Sequence, residues 1–241
     1  MIFLSRYLFY ADENAPAIHY AADELRRIGF DFAKEPCRDV THLILPVPTK
    51  DNVRLQQILQ KLSTDVCIIG GNLPELPGYR SHDLLKDDVY VAENAYITAH
   101  CAVRLLLNRL PVTLRGCNIL VIGWGRIGKC LSTLLKNLEA RVTVAARKES
   151  DRAILAALGY DSIKTDHIHT EDYRVIINTV PIMLLPSIPN SCLKIDLASS
   201  PGLGGEDVIH ARGLPGKDAP EASGNLISNR ILYIINKEGT L

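Results

Sequence analysis

The clearest alternation of apolar and polar positions lies between residues 118 and 145. Asn118-Ile119-Leu120-Val121-Ile122 is a continuous apolar run of strand length, as expected of a central parallel strand buried on both faces. Ile127, Leu131, Leu134, Leu135 and Leu138 then recur at three- and four-residue intervals, which predicts a helix with one buried side. Arg141 to Ala145 reads as a second strand, and residues 174–178 and 194–197 as later ones. A long helix over residues 219–236 closes the chain. In the first part, strand-like runs at 41–45 and 65–70 flank a helix over 53–62 with Leu55, Ile58, Leu59 and Leu62 on one face. An earlier helix is expected over 17–28. Residues 95–110 form one connecting helix with Ile97, Cys101, Leu105 and Leu106 on its buried side, ended by Pro111. Strands alternating with helices predict an α/β protein with mostly parallel sheets. The pattern breaks near residue 90. Residues 1–92 are expected to form a smaller α/β domain, and residues 93–241 the connecting helix with a doubly wound domain.

Composition narrows the function classes. The chain has 241 residues, 47% hydrophobic and 22% charged, enough apolar side chain for a folded core. Twenty-seven Lys and Arg balance 27 Asp and Glu, so the basic excess of a nucleic-acid binder is missing. No apolar run approaches the roughly 20 residues of a membrane span. Met1 to Tyr7 carries its charge inside the apolar stretch and lacks a small-residue cleavage site, so it is not read as a signal peptide. The six cysteines are scattered without C-x-x-C spacing, as in the reduced thiols of a cytoplasmic protein. His167-x-His169 has no nearby Cys or carboxylate at ligand spacing, so no metal site is expected.

The candidate chemistry begins where the first strand of the second part ends. Gly123-Trp124-Gly125-Arg126-Ile127-Gly128 is a G-x-G-x-x-G turn between a buried strand and an amphipathic helix. That context is the Rossmann dinucleotide fingerprint. Gly123 would allow the tight turn, Gly125 the approach of a pyrophosphate, and Gly128 close packing of helix on strand. Backbone N–H groups at the helix start would face the phosphates. The second strand exits through Ala146-Arg147-Lys148, with no acid before Glu149. An NAD site would place a carboxylate there, whereas Arg147 suits a 2′-phosphate, so NADP is expected over NAD. Asn178-Thr179-Val180-Pro181 and Asp196-Leu197-Ala198-Ser199 end later strands, and Thr179, Val180, Pro181, Leu197, Ala198 and Ser199 would line the cofactor crevice.

Together with Gly213-Leu214-Pro215-Gly216-Lys217-Asp218-Ala219-Pro220, these motifs fall in an order and spacing that resembles the A-subunit family of bacterial dipicolinate synthases. The stretch Gly-Leu-Pro-Gly-x-x-Ala-Pro-x-x-x-Gly, ending on Gly224, is the most specific piece. The likeness covers residues 85–235 well and the first 80 loosely, where the chain is also shorter than the family. More distantly, the cofactor domain is similar to D-2-hydroxyacid and shikimate dehydrogenases. The resemblance implies an NADP-dependent oxidoreductase subunit of sporulation, oxidising a tetrahydrodipicolinate-type substrate to dipicolinate beside a flavoprotein-like B subunit. Homo-oligomerisation is also expected.

The family reads Asn-Ser-x-Pro-Thr-x-Glu-Gly at the start of the connecting helix. Here the stretch is Asn94-Ala95-Tyr96-Ile97-Thr98-Ala99-His100-Cys101. By the resemblance, Asn94, Thr98, Gly216 and Lys217 would border the substrate, between the Rossmann domain and residues 1–90. His100, at the family's acidic position, would be the catalytic group, since histidine can act as a base near neutral pH. The changed acid position also supports two other readings. One is an NADP-binding regulatory or scaffold protein without turnover. The other is a stand-alone reductase of a small keto or imino acid.

Overall fold

A computed structural model describes residues 6–189 and 191–238, so the Met1–Ser5 part of the stretch read for a leader lies outside the described residues. The chain divides into two compact units. The first takes in the described residues up to Asn94 together with those from Pro215 onward, and the second is Ala95–Leu214.

The first unit is built on five parallel strands: β1 (Leu8–Ala11), β2 (Asp31–Phe32), β3 (His42–Ile44), β4 (Cys67–Gly70) and β5 (Arg80–Asp83). Their order is β2-β1-β3-β4-β5, a doubly wound sheet with its switch point between β1 and β3. Helix α1 (Pro16–Ile28) begins with Pro at its first position and ends on Gly29 in the left-handed conformation, φ 108°. Helix α2 (Asn52–Leu59) is capped by Asp51, whose carboxylate accepts the Arg54 N–H. Leu55, Ile58 and Leu59 of α2 pack with Leu43, Leu45 and Ile68 in one core cluster.

Helix α3 (Asp88–Arg109) begins two turns earlier than its pattern predicts. Asp87 accepts the backbone N–H groups of Val89 and Tyr90 and so caps it at 2.9 and 3.1 Å.

The second unit carries β6 (Asn118–Ile122), β7 (Arg141–Ala145), β8 (Asp161–Ile163), β9 (Val175–Asn178), β10 (Leu193–Asp196) and β11 (Ile209–His210), with α4 (Arg126–Asn137) and α5 (Glu149–Ala157) between them. All six strands are parallel, in the order β11-β10-β9-β6-β7-β8. Counting from β6, this is the 3-2-1-4-5-6 arrangement of a Rossmann domain. β6 and β9 lie at its centre, and their apolar residues are fully buried.

A short helix, α6 (Leu214–Asp218), leads into α7 (Pro220–Glu238). The sequence pattern assigned this closing helix to the Rossmann part; it belongs to the first unit instead. The reason is steric. α1 presents the small buried residues Ala17, Ala21 and Ala22, and α7 meets them with Gly224. A Cβ at Gly224 would stand 2.5 Å from the Tyr20 Cβ and 2.7 Å from the Ala17 carbonyl oxygen. The two backbones therefore approach more closely than any residue but glycine allows. Arg230 of α7 adds a forked contact to the Asp87 carboxylate, Nε at 2.8 Å and Nη2 at 2.5 Å. With α7 included, the first unit is not the smaller of the two.

Among the described residues, no helix is long and apolar enough to cross a membrane.

Candidate functional site

The glycine turn joins β6 to α4 at the middle of the second sheet, and its three glycines answer different demands. Gly123 has φ 105°, a left-handed backbone that side chains disfavour, and its N–H donates to the Ala145 carbonyl at 2.9 Å. A Cβ there would lie 2.5 Å from the Thr179 hydroxyl. At Gly128 a Cβ would fall 2.1 Å from the Gly123 carbonyl oxygen, so glycine is needed where α4 crosses the strand exit. Gly125 differs from both. Its φ is −81°, and a Cβ there would meet nothing within 4 Å. Among the described residues, no contact requires glycine at 125.

The start of α4 is electrostatically open. No side chain caps it and no acidic residue lies in its first turn. Its free N–H groups and the positive end of the helix dipole are therefore available to an anion. Arg126 is exposed at the first helical position, and Ile127 is half-buried. Trp124, also half-buried, packs edge-to-face on Tyr160 with ring centroids 5.8 Å apart.

At the exit of β7, Ala146 is buried while Arg147 and Lys148 are exposed. Arg152 of α5 holds this exit in place: its Nη1 donates to the carbonyls of Ala146 and Arg147, each at 2.9 Å. The Arg147 guanidinium pairs with no carboxylate among the described residues.

The exits of β6, β9 and β10 are tied together by buried polar side chains. The Thr179 hydroxyl donates to the Ile122 carbonyl at 2.8 Å, linking β9 to β6 beneath the turn. Asn178 and Asp196 end adjacent strands in register. The Asn178 amide donates to Asp196 Oδ1 and to the Val180 carbonyl, both at 2.9 Å. Asp196 also accepts the N–H groups of Ala198, Gly202 and Leu203 at 3.0, 2.7 and 3.1 Å. Asn178 and Asp196 are 0% and 1% exposed, so these bonds act in a low-dielectric interior. They fix Val180 and Pro181 on one loop and Leu197, Ala198 and Ser199 on the next. Ser199 and Pro181 are exposed, whereas Leu197 and Ala198 are buried.

The sequence pattern singled out the loops but not these organisers. Two apolar runs that each end on a buried polar residue are the signal for them. Arg152 carried no such signal, because only the folded loop brings it to the Ala146 and Arg147 carbonyls.

On α3 the structure separates residues that the resemblance grouped. Asn94 and Thr98 are one turn apart on one face, half-buried and buried respectively. His100 is two residues further, about 200° around a helix of 3.6 residues per turn. It is exposed, and its ring meets Tyr96 edge-on with centroids 4.5 Å apart. Gly216 and Lys217 lie in α6, where Lys217 is exposed. Among the described residues no group of three or more His, Cys, Asp or Glu side chains is placed to hold a metal ion.

The chain matches no family profile. It is 30% identical over 161 residues to the dipicolinate synthase A subunit of Bacillus subtilis, a stretch covering 60% of this chain and 53% of that protein. The match thus spans about half of the relative's length. The fold is similar to the crystal structure of the dipicolinate synthase A subunit from Bacillus halodurans, with a TM-score of 0.80, 19% identity and coverage of 95% of this chain and 97% of that one. The D-lactate dehydrogenase of Escherichia coli is a more distant likeness in fold, with a TM-score of 0.61, 12% identity and 97% of each chain covered. In sequence the chain is therefore similar to the dipicolinate synthase A subunit over about half of that protein, and its Rossmann-type α/β fold matches the crystal structures of dipicolinate synthase A subunits.

Proposed function

We propose that this chain is an NADP-dependent oxidoreductase of the dipicolinate synthase A-subunit type, acting on a tetrahydrodipicolinate-type substrate to give dipicolinate. The observation that carries the reading is Gly125. Glycine stands at the one position of the turn where the chain's own packing makes no demand for it. A ligand backed onto the turn supplies that demand. The likeness to the dipicolinate synthase A subunit supports the substrate class.

In this reading a bound nicotinamide dinucleotide would supply the hydride-accepting chemistry, and the chain's residues bind and orient. The N–H groups from Gly125 onward hold the pyrophosphate at the start of α4. Arg147 holds a 2′-phosphate with charge-assisted bonds, and the absence of an acid at the β7 exit removes the repulsion that phosphate would meet. Trp124, Arg126, Ile127, Ala146 and Lys148 border the nucleotide. Thr179, Val180, Pro181, Leu197, Ala198 and Ser199 line the nicotinamide end, held by the Asn178–Asp196 pair. Asn94, Thr98, Gly216 and Lys217 contact substrate by the resemblance alone. A flavoprotein-like B subunit, a homo-oligomeric state and a cytoplasmic role in sporulation belong to the same proposal.

The direct test follows NADPH formation from a tetrahydrodipicolinate substrate, with and without a B-subunit partner. Turnover supports the reading. A second reading, a nucleotide-binding protein without turnover, is favoured by one observation: His100 lies on the exposed side of α3, away from Asn94 and Thr98. NADP binding with no turnover in the partner's presence would establish it. His100→Gln separates the roles further. Proton exchange by His100 predicts a loss of about 10²–10⁴-fold in turnover. Its exposed position predicts unchanged turnover, which is the outcome expected here.

A further inference from the structure

We infer that Arg212 is an anion-recognition residue at the nicotinamide end of the proposed cofactor site, where it takes a carboxylate of the substrate. The inference rests on the cofactor reading above and adds a residue that neither the sequence motifs nor the resemblance singled out.

Arg212 follows β11, the edge strand of the second sheet, and its position is fixed from two sides. The Ala211 N–H donates to the Asp196 carbonyl at 2.8 Å, continuing the strand ladder beyond β11. The Arg212 Nε then donates to the Ala198 carbonyl at 3.1 Å. Ala198 is itself held through its N–H by the Asp196 carboxylate at 3.0 Å. The guanidinium is therefore anchored to the loop that the Asp196 carboxylate holds. That anchor uses one of its five N–H groups. Its two terminal nitrogens have no acceptor, and no carboxylate pairs with it, among the described residues. Arg212 is exposed, so these donors face solvent. An arginine locked through Nε keeps the fork that matches a carboxylate with two parallel bonds.

Position along the sheet decides which anion it meets. The strands are parallel, so the exits of β6, β7, β10 and β11 share one edge. β11 stands three places from β6, about 14 Å at the usual strand spacing. That is too far for Arg212 to share the pyrophosphate at the glycine turn. Arg147 stands on the other side of β6, in the half of the fold that binds the adenosine portion. Arg212 lies in the opposite half, where the nicotinamide and its reaction partner meet. A pre-organised cation there selects an anionic substrate, and a carboxylate is the planar anion its fork fits.

The test uses calorimetry on the full chain in two steps. NADP+ is titrated first, then dipicolinate is titrated into the NADP-saturated protein, for wild type, Arg212→Gln and Arg212→Lys. Arg212→Gln is expected to weaken dipicolinate binding about 10- to 150-fold, the usual weight of a charge-assisted contact. NADP+ affinity should stay within about twofold, because the nucleotide phosphates lie three strands away. Arg212→Lys should fall between, since it keeps the charge and loses the fork. Equal dipicolinate affinity in wild type and Arg212→Gln overturns the inference and leaves the cofactor reading intact. So does a wild-type protein that binds NADP+ but no dipicolinate. Parallel loss of both ligands with a lowered melting temperature would reduce Arg212 to a structural tether, which also overturns it. Failure of the wild type to bind NADP+ sinks the cofactor reading itself, and this inference with it.

Discussion

Asn178 and Asp196 end neighbouring strands in register and are joined by a buried 2.9 Å hydrogen bond from the Asn178 amide to Asp196 Oδ1. Through this pair, the two loops proposed to line the nicotinamide end depend on one carboxylate. Asp196→Ala would leave the Ala198, Gly202 and Leu203 N–H groups and one Asn178 amide proton without an acceptor. Each unsatisfied buried donor costs about 1–3 kcal/mol, and partial relaxation makes the sum smaller than additive. A loss on the order of 4 kcal/mol is expected in denaturant unfolding, and a loss under 1 kcal/mol would refute this account of the loops.

The glycines of the turn should separate by assay. Gly125→Val places a side chain in open space, so the melting temperature should hardly change while NADP+ binding collapses. Gly128→Ala drives a Cβ to 2.1 Å from the Gly123 carbonyl oxygen, so α4 must shift. It should lower stability by about 1–3 kcal/mol, as overpacking does. Calorimetry paired with thermal melts reads both, and undiminished NADP+ affinity in folded Gly125→Val would remove the turn from the site.

Cofactor choice is read at Arg147. Arg147→Asp removes a charge-assisted contact worth about 1.5–3 kcal/mol, a roughly 10- to 150-fold loss for NADP(H). NAD(H) should change much less or improve, because aspartate suits a ribose 2′-hydroxyl. Equal losses for both cofactors would exclude the 2′-phosphate role.

The Asp87–Arg230 pair gives the first unit a pH dependence. Partial burial raises the Asp87 pKa, but the Tyr90 N–H and the Arg230 guanidinium outweigh it, so the net shift is downward. A carboxylate whose pKa is lower in the folded state contributes stability above its unfolded value near 3.9 and loses it as pH falls through the folded value. The side chains are 20% and 14% exposed, so the pair lies between surface and buried cases. Asp87→Asn should cost about 1–3 kcal/mol at neutral pH and flatten the acid limb of the stability profile below about pH 4. Parallel profiles for variant and wild type would show that the pair carries no such linkage.

The Rossmann half was legible because its signals are local. A strand buried on both faces must be apolar throughout, and a glycine turn followed by a 3.6-residue period can be read within 20 residues. β6, α4 and β7 accordingly lie within a residue or two of their patterns. The short edge strands β2, β8 and β11 have only two or three residues each, too few to show a period, and they are strands because a neighbour pairs with them. The location of α7 was equally hidden. Its own residues specify a helix, but only contact between Gly224 and the small face of α1, some 200 positions earlier, decides which unit it joins. The same division runs through the site. Gly123, Gly125 and Gly128 are named by spacing, whereas the difference between the two glycines that packing demands and the one it does not depends on distances across loops. Asn178 and Asp196 become partners, and Arg212 becomes an anchored cation, only when parallel pairing sets the ends of separate strands side by side.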